Sequence, residues 1–346
     1  MSTILNTGVI GVGMISSGHL EAYKTNERAR LYSICDIDPE WLPDAEKIHK
    51  PVKAFLDYHE MLADPELDAV SICLPTALHA QATIDALNAG KHVLCEKPMA
   101  LNAAEARAMK EAADKSGKKL MISQNQRLEG NVRYLRELKE QDFFGDIYLM
   151  RIGWRRPMGV LPPVYATRPN GNKYNRNFYN DKNNGGGVLR DLGSHLLDLS
   201  LYISDFPAPT ATVSSLYRKF FNPDADLSKY PCDSEDMAVA QITFDNGLTM
   251  QLEFSFASHV AEDTVFTEIY GTKAGASRRG QVVSLIENDS KGTIIRPMPY
   301  PRDTKYTQAC FIDAVLDDTD VPITAAEGIR VIEVLDEIYK AAGDTK

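Results

Sequence analysis

An aspartate and a histidine stand four residues apart in Gly185-Gly186-Gly187-Val188-Leu189-Arg190-Asp191-Leu192-Gly193-Ser194-His195. On a helix beginning near Gly193, that spacing places Asp191 and His195 close together on one face. An imidazole with a pKa of about 6.5 can accept a proton at neutral pH. Gly185, Gly186 and Gly187 would let a bulky ligand approach the backbone. The same residues also have a purely structural reading, with Asp191 as an N-terminal cap and His195 as a partly buried helix residue.

Gly11-Val12-Gly13-Met14-Ile15-Ser16 carries a different chemistry. After a strand, the first glycine permits a tight turn. The second lets the backbone reach a pyrophosphate, whose charge a helix N-terminus favours. Ser16 stands where glycine or alanine is usual, and its small side chain still permits close packing. Gly11, Gly13, Met14 and Ile15 are therefore candidate cofactor contacts. Asp36 stands where a carboxylate binds the adenosine ribose diol, with Asp38 close behind and no Arg or Lys immediately after it. Two acids there would repel a 2′-phosphate, which favours NAD over NADP. The alternative makes Asp36 the start of a turn before Pro39.

These residues need elements to hold them. The chain has 346 residues, too many for one ordinary core and suited to two domains. Apolar runs at 7–13, 31–35, 69–74, 92–95 and 119–123 alternate with helical patterns at 17–25, 79–88 and 103–115. That alternation predicts a parallel sheet covered on both faces. Residues 1–123 read as an α/β, doubly wound Rossmann domain that binds a dinucleotide. Residues 124–346 read as an α+β domain with a large, mostly antiparallel sheet and helices on one face. Its strands are expected at 147–154, 237–244, 248–256, 265–270, 282–286 and 293–296. Asp245-Asn246-Gly247 is a hairpin signal. Helices are expected at 132–141, 306–316 and 325–342.

Composition excludes some partners. With 44% hydrophobic and 25% charged residues the chain is ordinary for a globular protein. A net charge of −10 argues against nucleic acid or anionic membranes as partners. No apolar stretch approaches bilayer length, and residues 1–6 lack the pattern of a secretory signal. Cys35, Cys73, Cys95, Cys232 and Cys310 show no CxxC spacing. The expectation is a cytoplasmic protein with reduced thiols and no metal.

Two further segments follow predicted strands: Leu74-Pro75-Thr76-Ala77-Leu78-His79 and Glu96-Lys97-Pro98. Both lie at C-terminal strand ends, where open α/β sheets bind ligands. With the glycine turn, His19 downstream of it, the segment 185–195 and Tyr270-Gly271-Thr272-Lys273-Ala274-Gly275-Ala276, they resemble the Gfo/Idh/MocA family of glucose–fructose oxidoreductase and inositol dehydrogenase relatives. The resemblance covers essentially the whole chain. It implies an NAD-dependent oxidoreductase acting on a carbinol of a cyclic polyol, sugar or sugar derivative. It implies that His195 is the catalytic acid/base, with Lys97 and Asp191 assisting. Lys97 would reach both nicotinamide ribose and substrate hydroxyl. Pro75, Thr76, His79, Glu96 and Asn125 fall where such proteins line the cofactor. Thr76 replaces a common asparagine, and the run Gln124-Asn125-Gln126-Arg127 permits a shift of one residue. An exposed sheet face in this family commonly forms an oligomer interface, which implies a homo-oligomer, a dimer or tetramer.

The segment 155–184 is basic, aromatic and amide-rich: Arg155, Arg156, Arg168, Lys173, Tyr174, Arg176, Tyr179 and Lys182, with Asp181 as its one acid. Such a loop suits a polyhydroxylated or anionic sugar, and equally a solvated or oligomer-contact loop. Trp154, Arg155 and Arg156 are the candidate substrate contacts. Two alternatives stand beside the dehydrogenase: a glycoside hydrolase that uses NAD transiently, and a non-catalytic sugar-sensing regulator on the same fold.

Overall fold

The computed structural model describes residues 4–157, 181–219, 233–298 and 303–344, together with the backbone of 165–167 and 173–175. It divides into two compact units, Met1–Gln124 with Lys305–Ile332, and Asn125–Thr304 with Glu333–Lys346.

The first unit holds β1 (Leu5–Ile10), β2 (Ala29–Cys35), β3 (Lys53–Phe55), β4 (Ala69–Ile72), β5 (His92–Glu96) and β6 (Leu120–Ser123). Its helices are α1 (Ser17–Thr25), α2 (Leu42–His49), α3 (Tyr58–Leu62), α4 (His79–Asn88) and α5 (Ala103–Ser116). The strands form one sheet in the order β3-β2-β1-β4-β5-β6, and every pairing is parallel. Every residue of β4 and β6 is buried, which explains why these strands read as apolar runs without alternation. The order reverses between β1 and β4, the place where open α/β sheets bind ligands. Short, half-exposed β3 and helices α2 and α3 escaped the sequence reading.

A single cut at residue 123 places the last helices in the second domain, but residues 305–332 belong to the first unit. Helix α8 (Thr307–Leu316) is tied to the chain just before β2 by Arg28, whose guanidinium pairs with Asp313 and with Asp317 at the helix end. Ile122 of β6 donates its N–H to the Ile323 carbonyl at 3.3 Å, and Gly328 of α9 (Ala325–Ala341) lies against Met99 and Ile122.

The second unit is built on an eight-stranded sheet. Its members are β7 (Ile147–Arg155), β10 (Pro209–Tyr217), β11 (Met237–Phe244), β12 (Thr249–Ser255), β13 (Thr264–Gly271), β14 (Ala274–Arg279), β15 (Val282–Asp289) and β16 (Gly292–Pro297). A small separate ribbon pairs β8 (Tyr165–Thr167) with β9 (Lys173–Asn175). The main order is β10-β11-β12-β7-β13-β14-β15-β16, antiparallel except between β12 and β7. Along β11, Ala238, Ala240, Ile242 and Phe244 are buried while Gln241 is exposed, so one face forms the core and the other is open. Each large aliphatic or aromatic side chain so buried stabilises the fold by about 1.5–3 kcal/mol. Helices α6 (Gly130–Glu140) and α7 (Ser194–Ile203) belong to this unit, as does α9 from Glu333 onward. Among the described residues no helix is long and apolar enough to cross a membrane.

Candidate active site

In the first unit the glycine turn is locked from three sides. Gly11 has φ +89°, and a Cβ there would lie 2.5 Å from the Cys73 carbonyl oxygen. Asp36 Oδ2 accepts the Val12 N–H at 2.9 Å, and Trp41 Nε1 donates to the Val12 carbonyl at 2.9 Å. Asp38 in turn accepts the Trp41 N–H at 3.2 Å. At Gly13 nothing lies within 4 Å of where a Cβ would stand. The backbone before α1 is therefore open to a pyrophosphate, with the helix N-terminus behind it. Met14 and Ile15 are half exposed on the turn, and Ser16 turns its hydroxyl back to the Gly13 carbonyl at 2.7 Å. These features fit a dinucleotide.

Lys97 follows β5 and is flanked by two buried histidines. On one side, Glu96 Oε1 lies 2.8 Å from His19 Nε2, and Glu96 Oε2 accepts the Lys97 N–H at 3.3 Å. His19 Nδ1 lies 2.8 Å from Ser71 Oγ, which also meets the Tyr23 hydroxyl. On the other side, the His79 ring nitrogens lie 2.8 Å from the Pro98 and Leu74 carbonyl oxygens. A neutral ring donates to one of these carbonyls, a protonated ring to both. His79 therefore staples the Pro75-Thr76 turn to the Glu96-Lys97-Pro98 segment. Burial would raise the Glu96 carboxyl, but His19, Ser123 and Lys97 outweigh it and hold the group below the usual carboxylate range. Burial lowers the pKa of His79. The family resemblance makes Glu96 and His79 cofactor contacts; in the structure their polar atoms are engaged with protein groups, Glu96 with His19 and the Lys97 N–H, His79 with the Leu74 and Pro98 carbonyls. Thr76 opens a short 3₁₀ turn, Thr76–Leu78, with Pro75 just before it. Asn125 is exposed and begins the second unit, while Gln124 is buried.

The second unit carries Asp191 and His195. The chain is already helical at Val188 and passes through a π-helical turn, Leu189–Gly193, into α7. Asp191 is thus inside the helical run, with its N–H bonded to the Gly187 carbonyl at 3.0 Å, and is not an N-terminal cap. The wider turn also changes the α-helical spacing assumed between Asp191 and His195. Trp154 lies beside His195, ring centroids 6.5 Å apart. Arg156 stacks over the Trp154 ring at 4.6 Å, and Trp154 Nε1 donates to Asp263 at 2.9 Å.

Strand alternation separates Arg155 from this group. Trp154 shares its face with Phe254, whereas Arg155 reaches over Phe266 on the opposite face. Of the three candidate substrate contacts, Trp154 and Arg156 stand together near His195 and Arg155 does not. Arg168, Arg176 and Tyr179 lie outside the described residues, as do the side chains of Lys173 and Tyr174.

Helix α7 is anchored by a buried ion pair that the sequence reading missed. Arg127 Nε donates to Asp198 Oδ2 at 3.0 Å, a second bond joins Arg127 Nη2 to Asp198 Oδ1, and both side chains are 1% exposed. Tyr202 and Phe206 cover the guanidinium. A carboxylate among the leucines of 196–201 was the available signal, because a lone charge in an apolar helix needs a partner. Among the described residues no cluster of His, Cys, Asp and Glu is suited to a metal, and Cys35, Cys73 and Cys95 are buried free thiols. Cys232 lies outside the described residues.

A model of the oxidoreductase family with an NAD-binding Rossmann fold matches residues 5–124, and one of the GFO/IDH/MocA C-terminal domain matches 132–277. The chain belongs to the Gfo/Idh/MocA family. This Gfo/Idh/MocA chain is 28% identical to D-glucoside 3-dehydrogenase of Escherichia coli K12, over 99% of its own length and 96% of the relative's. It is 33% identical to myo-inositol 2-dehydrogenase of Thermotoga maritima, over 58% of its length and 54% of the relative's. Levoglucosan dehydrogenase, solved with NADH, shares the fold at TM-score 0.85 and 22% identity, covering 99% of this chain and 97% of that one. The first unit is an NAD-binding Rossmann domain, and the chain is an oxidoreductase-family member with dehydrogenase relatives.

Proposed function

We propose that this protein is an NAD-dependent dehydrogenase oxidising a carbinol of a cyclic polyol, sugar or sugar derivative. The observation that carries the reading is one chain holding the locked glycine turn, the framed Lys97 and the Asp191–His195 helix beside Trp154. Relatives named for D-glucosides and myo-inositol support the substrate class.

Bound nicotinamide supplies the hydride acceptor. His195 takes the hydroxyl proton at its ring, a step worth about 10²–10⁴ in rate. Lys97, as a cation, offsets charge developing on the oxygen. Asp191 holds the substrate hydroxyl or orients the imidazole. Trp154 offers an apolar ring face and Arg156 a donor fork to a polyhydroxylated ligand. Asp36 and Asp38 disfavour a 2′-phosphate, so NAD is preferred over NADP. The open sheet face, with Arg151, Gln241, Gln251 and Arg279 exposed on it, is the proposed homo-oligomer interface. The protein works in the cytoplasm.

The test is spectrophotometric reduction of NAD and NADP against inositols, aldoses, uronates and sugar phosphates. Turnover with at least one carbinol, faster with NAD, is expected. Glycoside cleavage without net NADH would make the protein an NAD-using hydrolase. Ligand binding without turnover would make it a regulator.

A further inference from the structure

We infer that Glu235 is a positioning residue for Asp191 and His195, and that Gly187 is glycine because the Glu235 carboxyl group fills the space a side chain would need. The inference rests on the roles given to Asp191 and His195 in the proposed function.

Glu235 lies just before β11 and is 2% exposed. Its carboxyl reaches the first turn of the helical run. Oε1 accepts the Leu189 N–H at 3.0 Å and the Tyr339 hydroxyl at 2.8 Å. Its backbone carbonyl accepts the Val188 N–H at 3.1 Å. One residue thus satisfies two consecutive N–H groups at the start of the helix, where such donors have no partner within it. Tyr339, which holds the carboxyl, carries the Arg190 guanidinium over its ring at 4.4 Å, so the clamp closes on the residue next to Asp191.

The glycine follows from the same geometry. Gly187 has φ +114°, and a Cβ there would stand 2.4 Å from both Glu235 carboxyl oxygens. Gly187 also accepts the Asp191 N–H through its carbonyl at 3.0 Å. Displacing the carboxyl or the glycine therefore moves the backbone turn from which Asp191 and then His195 project. Small shifts of that kind cost rate, because reacting groups must be held to within a fraction of an ångström.

The variants separate positioning from bulk. Glu235→Gln keeps a carbonyl oxygen where Oε1 stands. Glu235→Asp withdraws the group by one methylene. Glu235→Leu keeps volume and removes the acceptor. With the best carbinol found in the panel, kcat is expected to fall about tenfold to a hundredfold in Glu235→Asp and Glu235→Leu while KM stays within about threefold. Glu235→Gln should restore most of the loss. NADH affinity, read by fluorescence titration, should match wild type in all three. Gly187→Ala should lower kcat like Glu235→Asp, and its effect should shrink in a Glu235→Ala background.

A substrate-free readout accompanies the kinetics: the His195 imidazole resonance, assigned with His195→Gln. It should move in Glu235→Asp and Glu235→Leu and return in Glu235→Gln. Unchanged kcat and an unmoved resonance in folded Glu235→Asp overturn the inference, as does a loss confined to KM. If leucine prevents folding, Tyr339→Phe removes one donor to the same oxygen and must move the resonance; no movement overturns it. If wild type oxidises nothing in the panel, the dehydrogenase reading fails, and the resonance alone decides the role of Glu235.

Discussion

Lys97 and the Asp191–His195 pair each rest on a buried acid, but the two acids live in different surroundings. Glu96 meets a histidine at 2.8 Å and sits below its ordinary value of 4.5. Glu235 sits above that value because burial dominates, with Leu189 N–H, Arg190 and Tyr339 only partly opposing it. Glu96 therefore favours folding above the ordinary carboxylate pKa and loses that contribution as pH falls through its lowered value. His79 acts in the same sense, favouring folding above its ordinary 6.5 and losing that as pH falls through its own lowered value. Glu235 is the reverse: its folded form prefers the proton, so its contribution is present at low pH and is lost as pH rises through the raised value. Falling pH thus loosens the frame of Lys97, and pH rising through the raised Glu235 value loosens the frame of Asp191 and His195.

The largest effect is expected from Asp198→Ala, which strands the buried Arg127 guanidinium under α7. Denaturant unfolding should show a loss of about 3–5 kcal/mol. His19→Ala leaves Glu96 without its imidazole partner, and the expected loss is smaller, about 1–3 kcal/mol. A larger loss at His19 than at Asp198 would reverse the ranking of the two frames.

Hydrogen exchange read by mass spectrometry, corrected for intrinsic rates, checks the pH contrast locally. Protection of 92–99 should fall on acidification. Protection of 187–193 should fall as pH rises through the raised Glu235 value. The same trend in both segments would remove the contrast. The smallest effect belongs to Arg151→Ala, whose exposed pair with Glu268 on the open sheet face is worth less than about 1 kcal/mol in the monomer. A shift in molar mass by light scattering with this variant would instead mark the face as an interface.

Much of this was legible in the sequence because the parallel strands are buried on both faces and read as unbroken apolar runs. The glycine turn, Asp36 and Lys97 stand at their ends. The 245–247 hairpin was equally plain, since Gly247 takes φ +86°. β10 and β14 were missed for physical reasons. β10 is an edge strand rich in Pro, Thr, Ser and Ala, and β14 places Arg278, 2% exposed, on the core side, where a charge conceals the alternation. The return of 305–332 to the first unit depends on Arg28 and β6, contacts from the far end of the chain. Glu235 was invisible for the same reason. It lies 46 residues from the Leu189 N–H it accepts, and only the glycine at 187 hinted that something occupied the space.

The most direct test of the assignment is NAD reduction by wild type, Lys97→Ala and His195→Ala with one and the same carbinol. Turnover by wild type, with losses of at least about a hundredfold in both variants and NADH still bound by His195→Ala, is the expected result. Full activity in both variants would contradict it.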